Sequence, residues 1–212
     1  MPAEDRRQQL IDVAIDLFSR KGFNGTTTKE IAAAAGVTEA IIFRHFETKQ
    51  HLYTAIIDNK LQCAAGSEWF SEIKAAMDKN DDEGLFRRLA KAIIGTHRDD
   101  PKFERLMLYA ALEGNDIALI YMRQITASIV DAFRAYILRR QREGALRKVQ
   151  PDAVIMAIAG MAKNYAMGKF IHDFKEPRLS DDEAIDAFTG IMMNGIGAKA
   201  SGKLVAARRK KK

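Results

Sequence analysis

An all-α fold follows from three features of this chain. Long stretches rich in Ala, Leu, Ile, Met, Lys and Glu are built from good helix formers. The four prolines, Pro2, Pro101, Pro151 and Pro177, fall near the ends of these stretches and not inside them. No run alternates apolar and polar residues with the period of two that a half-buried strand needs, and no repeat of 20–50 residues is visible.

The helices can be placed in order. "AEDRRQQLIDVAIDLFSRKGF" sets Leu10, Ile11, Ala14, Leu17 and Phe18 at helical spacing. Gly22 stops this helix, and Arg20 and Lys21 suit its negative C-terminal end. "NGTTTKEIAAAAG" opens a shorter helix that either Thr27 or Thr28 can cap and that Gly36 closes. "VTEAIIFRHF" forms a third helix with Thr38 as its N-cap. "ETKQHLYTAIIDNKLQ" forms a fourth, capped by Thr48 and built on Leu52, Ile56 and Leu61. Beyond Gly66, five more helical stretches are predicted, at about 83–98, 101–113, 115–143, 151–173 and 180–197. They are separated by breaks rich in Gly, Asp, Asn and Pro.

Composition narrows the class. An apolar fraction of 47% over 212 residues suits a soluble globular protein with a full core. The single cysteine, Cys63, excludes an internal disulfide framework and fits a reducing cytosol, so a cytoplasmic location is expected. The N-terminus has no apolar segment of the kind that marks a secretory signal. The longest apolar run, 153–162, falls well short of the ~18 residues that span a bilayer, so no membrane partner is expected.

The net charge of +6 is misleading. Seven of the 34 cations lie from Lys199 onward with no acids among them, which leaves 27 against 28 acids in residues 1–198. The basic tail, 199–212, reads as a solvated run expected to be disordered, with weak non-specific phosphate binding as the sharper alternative. Only local placement of charge can point to a partner.

That placement is found at residues 28–46, two helices joined by "AGV". Ile31, Ala32 and Ala35 share one side of the first helix, and the small Ala32 permits a close crossing. Gly36 allows the positive φ of a tight turn, and Val37 and Ile42 fill the space between the helices. This is the grammar of a helix-turn-helix. The residues left facing outward on the second helix are Thr38, Glu39, Ala40, Ile41, Phe43, Arg44 and His45. A helix fits the DNA major groove with its N-terminal residues nearest the base edges.

Residues from about 5 to 60 resemble the DNA-binding domain of TetR-family transcriptional regulators. The matching motifs are "AIDLFSRKGF", "TTTKEIAAAAGV" and "IFRHFETKQHL", in the family's order and spacing. The resemblance implies a helix-turn-helix domain at 1–48, a helical effector-binding and dimerisation domain at 49–198, and the tail at 199–212. It further implies that Thr28 caps the second helix and offers its hydroxyl and N–H to a phosphate, with Lys29 reaching a base or phosphate beside it. Thr38, Glu39, Ala40 and Ile41 take the base-facing start of the recognition helix, Arg44 and His45 stand at its end, and Lys49 takes the place of a phosphate-binding lysine. Phe43 replaces a tyrosine and so lacks the hydroxyl that would bond a phosphate. Ile41 replaces a threonine and favours a thymine methyl. Glu39 either accepts from a cytosine N4 or only excludes a phosphate. His45 has a second reading, as a core-edge residue holding the fourth helix.

The remainder predicts a sensor. Aromatic and Met side chains recur at helical spacing through 66–180, and Met lines adaptable apolar pockets, so an apolar or amphipathic effector is expected. Candidate contacts are His97, Met107, Tyr109, Arg123, Gln124, Met161, Asn164 and Tyr165. The Ala-, Gly- and Met-rich helices at about 151–173 and 180–197 are expected to pair across a homodimer. An enzyme is disfavoured: His45, His51, His97 and His172 lack metal-ligand spacing, no phosphate loop is present, and the pairs Asp81–Asp82 and Asp181–Asp182 sit at helix starts where dipoles explain them. No cofactor is predicted. The expectation is a sequence-specific regulator, a repressor released from a palindromic operator by its effector. The rival is an architectural or cell-division DNA-binding protein of the same fold without one.

Overall fold

The computed structural model describes residues 2–65, 68–172, 174 and 178–197, with backbone alone at 61, 63–65, 116–126 and 128. The basic tail and the side chains of Arg123 and Gln124 therefore lie outside the described residues. Among the described residues ten α-helices follow one another: α1 (Ala3–Lys21), α2 (Thr28–Ala35), α3 (Glu39–His45), α4 (Lys49–Ala65), α5 (Glu68–Asp78), α6 (Asp82–Asp99), α7 (Pro101–Leu112), α8 (Asp116–Arg142), α9 (Pro151–Ala166) and α10 (Asp181–Ile196). Among the described residues no strand forms beyond one isolated antiparallel bridge, Leu146 with Gly197.

The helix ends show why the sequence folds this way. Asp100 caps α7 by accepting from the Phe103 amide at 3.1 Å, ahead of Pro101 in the first turn. Ser180 and Glu183 form a reciprocal capping box at α10. Asp82, Asp181 and Asp182 do sit in first turns. Two elements depart from expectation. α5, with Ile73 and Ala76 buried, was not predicted, because Gly66 ahead of it and "DKNDDEG" after it read as one long interruption. The helix expected over 151–173 is α-helical only to Ala166 and continues as a π-helical turn, Met167–Ile171.

The described residues form two compact units. The first gathers α1–α4 with α7 and the start of α8; its core includes Leu10, Ile11, Phe18, Ile31, Ile42, Phe46, Tyr53, Phe103 and Leu106. It extends past the domain boundary expected at residue 48, since α4 and α7 contribute to the same core as α1. The second holds α5, α6, α9, α10 and the rest of α8 around Phe86, Phe133, Ile137, Ile158 and Ala162.

One polar cluster ties the second unit together. Arg140 on α8 makes a two-pronged ion pair with Asp82 at the start of α6, 2.9 Å at each prong, and the Tyr136 hydroxyl donates to the same carboxylate. Both charged side chains are largely shielded, so loss of the guanidinium leaves the carboxylate desolvated and short of partners. Arg140→Ala is expected to destabilise the protein by about 3 kcal/mol, read as a lower urea midpoint, whereas exposed Arg87→Ala is expected to change it little.

Candidate nucleic-acid interface

Residues 27–49 build one surface. At its centre α2 runs from Thr27, whose hydroxyl accepts from the Glu30 amide while the Glu30 carboxylate accepts from the Thr27 N–H at 2.8 Å. The cap is thus Thr27, and the expectation that Thr28 caps this helix is corrected. The Glu30 side chain completes the box only from three residues beyond the cap, which selects Thr27 of the two candidates. Thr28 is freed for another bond: its hydroxyl donates to Glu39 Oε2 at 2.7 Å, linking the starts of α2 and α3. Gly36 ends α2 in the left-handed region at φ 67°, with Val37 N–H returning to the Ala32 carbonyl at 2.9 Å.

The short α3 is seated by few groups. Ile42 is its buried residue, and Phe46, fully buried, closes its end. Thr38 stands at the N-cap position without a side-chain cap bond. Thr38, Ala40, Phe43 and Arg44 are exposed, Phe43 at 47%, while Glu39 and Ile41 are half-buried. Lys29 is exposed on α2. The structure joins Thr28 to Glu39 by a hydrogen bond and sets Thr28, Phe43 and Lys49 around one cleft, so these predicted DNA contacts are brought together.

Two of the predicted contacts, Lys49 and His45, are turned partly into the protein. The Lys49 ammonium, expected to meet a phosphate, donates to the carbonyls of Phe23 at 2.8 Å and Thr26 at 2.9 Å and lies 4.1 Å from the Phe23 ring centroid. It fastens the α1–α2 turn to the start of α4. His45 is half-buried beside Phe46; its Nε2 is buried and makes no hydrogen bond in the structure. Between the starts of α2 and α4 lies a cleft of about 380 Å³ walled by Thr27, Thr28, Phe43, Thr48 and Lys49. The Thr48 hydroxyl caps α4 through the His51 amide at 3.0 Å, so two positive helix ends border one cleft.

The predicted effector contacts do not converge. Met107 packs on the first core, and the Tyr109 hydroxyl donates to the Arg20 carbonyl at 3.0 Å, so both belong to the first unit. His97 is buried in α6 with its Nδ1 2.8 Å from the Ile93 carbonyl. Met161, Asn164 and Tyr165 do meet, in a cavity of about 560 Å³ in the second unit that Met167, Phe174 and Phe188 also line. Sequence reasoning missed Lys169, whose ammonium sits 2.7 Å from the Tyr165 hydroxyl and 2.9 Å from Asp181 Oδ1. These bonds hold the Asp181 carboxyl below its ordinary range against the opposing pull of burial. It also missed Glu113, which bonds a turn ninety residues earlier in the chain; no local pattern carries that signal.

A glycine-turned pair of helices, the second short and presenting polar and basic side chains outward, defines a helix-turn-helix DNA-binding protein. Comparison with known proteins agrees. Residues 10–56 match the profile of bacterial regulatory proteins of the tetR family. Over 161 residues, 76% of this chain and 74% of the relative, the sequence is 25% identical to the HTH-type transcriptional regulator RutR of Escherichia coli O157:H7. It is also 25% identical over 169 residues, 79% of this chain and 80% of the relative, to the nucleoid occlusion factor SlmA of Actinobacillus pleuropneumoniae. The crystal structure of AibR in complex with isovaleryl coenzyme A and operator DNA shares the fold with a TM-score of 0.62 at 17% identity, covering 88% of this chain and 97% of that one. Residues 10–56 thus match the DNA-binding segment of TetR-type regulators, and over most of its length the chain is similar to transcriptional regulators that carry it.

The α2 cap makes the interface sensitive to acid. The Lys21 ammonium, 2.7 Å away, and the Thr27 bonds hold the Glu30 carboxyl down at about 2, from an ordinary 4.5. A depressed carboxyl contributes stability that is fully present above pH 4.5 and is lost as pH falls toward 2. Glu30→Gln is therefore expected to flatten the acid loss of stability over this window. Urea midpoints at pH 5 and pH 3 check this, and equal slopes in both proteins would count against it.

Proposed function

We propose that this DNA-binding transcriptional regulator acts as a homodimeric repressor that leaves a palindromic operator when a small apolar or amphipathic effector binds. The observation that carries the reading is the exposed face of α3 beside the cleft between α2 and α4. In the proposed complex Thr38, Ala40 and Ile41 approach base edges in the major groove, and Ile41 favours a thymine methyl. Arg44 and Lys29 reach phosphates or a guanine edge, and the Thr28 N–H and the helix ends receive the backbone. Glu39, tied to Thr28 by one carboxylate oxygen, keeps the other for a cytosine N4 and repels a phosphate that strays onto it. Lys49 and His45 take part as supports for α4 and Phe46, with phosphate contact by Lys49 requiring exchange of its carbonyl partners.

Dimerisation through α9 and α10 is supported by the apolar side chains they expose, Met156 at 74% and Ile191 at 59%. A dimer sets two recognition helices about 34 Å apart, one duplex turn, or a multiple of it. The cavity at Met161, Asn164 and Tyr165 is the proposed effector seat, and AibR, a neighbour in fold, was crystallised with an acyl coenzyme A and operator DNA together. The similarity to SlmA favours a second reading, a DNA-binding factor without an effector. Many closely spaced genomic sites and no ligand that weakens binding would support it.

The reading is tested by selecting duplexes from a random pool with the full-length protein. Enrichment of one near-palindrome is expected, and Arg44→Ala is expected to weaken binding to it by about 1–3 kcal/mol. Failure to enrich any sequence would overturn the reading. The doubly substituted Met156→Glu, Ile191→Glu protein is expected to sediment as a folded monomer and to lose tight operator binding; a dimer that persists would move the interface elsewhere.

A further inference from the structure

The turn between α1 and α2 is gripped from two sides. On one side Lys49 takes the carbonyls of Phe23 and Thr26. On the other, Glu113 at the end of α7 accepts from the Phe23 amide at 3.0 Å through Oε2 and from the Asn24 amide at 3.2 Å through Oε1. Each carboxylate oxygen thus receives one of two successive backbone donors, a charge-assisted pair that fixes both distance and direction. One turn back on α7, the Tyr109 hydroxyl donates to the Arg20 carbonyl near the end of α1. Phe103, Leu106 and Ala110 of α7 lie in the same apolar core as Phe18.

The turn is shaped to receive this helix. Gly22 sits at φ 74°, and a Cβ there would come within 2.3 Å of Glu113 Oε1 and 3.1 Å of the Tyr109 ring. Glycine serves here both for the positive φ and for the close approach. From the turn the chain passes directly to Thr26, whose buried hydroxyl donates to the Gly22 carbonyl at 2.8 Å, and then to Thr27, the cap of α2. A shift of the turn is therefore delivered to the start of α2 and, through Lys49, to the start of α4. Glu113 itself stands at the α7–α8 junction, ahead of Gly114 at φ 67°.

We propose that Glu113 is a positioning residue for DNA binding, the point at which the segment carrying α7 is coupled to the DNA-facing surface; this rests on the DNA-binding reading above. Its carboxylate holds the starts of α2 and α4 in register with α3, so that backbone docking and base reading occur together. Movement of α7 or of the start of α8 is then felt at the interface without any change in α3 itself.

The test measures full-length wild-type, Glu113→Gln and Glu113→Ala proteins by fluorescence anisotropy. The probes are a duplex enriched by the wild-type protein from a random pool and an unrelated duplex of the same length, with thermal midpoints measured alongside. Gln matches Glu in shape but turns an NH2 group toward one of the two amide donors. Binding to the enriched duplex is expected to weaken roughly tenfold in Glu113→Gln and further in Glu113→Ala. Binding to the unrelated duplex, which follows phosphate charge, is expected to change by less than about twofold. Equal losses on both duplexes that track the thermal midpoint would overturn the proposal in favour of a purely structural role. Unchanged discrimination in Glu113→Gln would overturn it as well, even if Glu113→Ala fails to fold. A wild-type protein that enriches no sequence would instead remove the DNA reading itself, an outcome distinct from either.

Discussion

A helix of seven residues has no stability of its own in water, because nucleating it costs more than its few backbone bonds return. Everything this protein can do at DNA depends on holding α3 in place regardless. The means are few: Ile42 buried beneath it, Phe46 closing its end, the Gly36 turn leading into it, and the Thr28–Glu39 hydrogen bond across its start. Ile42 and Phe46 lie on the side away from the exposed face. The outward residues are therefore released from structural duty, and their chemistry can be set by a partner.

The same economy explains why charge in this region serves structure before recognition. Lys21 pairs with Glu30, Lys49 with two carbonyls, and Glu39 with a hydroxyl, while Arg44 and Lys29 stay exposed. A cation that satisfies carbonyls of a turn stiffens the surface on which DNA would rest, and a stiff surface loses less freedom on binding. The affinity of such a surface depends less on its total charge than on which charges are left unengaged. The near-balance of acids and bases in residues 1–198 is consistent with that division.

Legibility differed between the two compact units for a physical reason. The N-terminal helices, their order and their closing glycines were readable because each is set by neighbours three or four residues away: Gly22 after α1 and Gly36 after α2. α5 was missed although Trp69, Ile73, Ala76 and Met77 recur at helical spacing, because Gly66 ahead of it and "DKNDDEG" after it read as one interruption. The choice between Thr27 and Thr28 as cap needed the Glu30 side chain in place. The effector set was read from residue type alone, and residue type cannot separate Met161, beside a cavity, from Met107, against a core.

By itself the sequence determined the all-α class, the helix-turn-helix at 28–46 and the exposed identity of the face of α3, because periodicity and turn chemistry are local. Only the tertiary structure decided that Lys49 faces a turn, that Met161, Asn164 and Tyr165 share a cavity while Tyr109 and His97 lie elsewhere, and that Glu113 meets Phe23 and Asn24. Those facts depend on which distant segments come to lie side by side. For Glu113 the packing of α7 against α1 fixes that, through apolar surfaces whose pairing leaves no trace in the spacing of either helix.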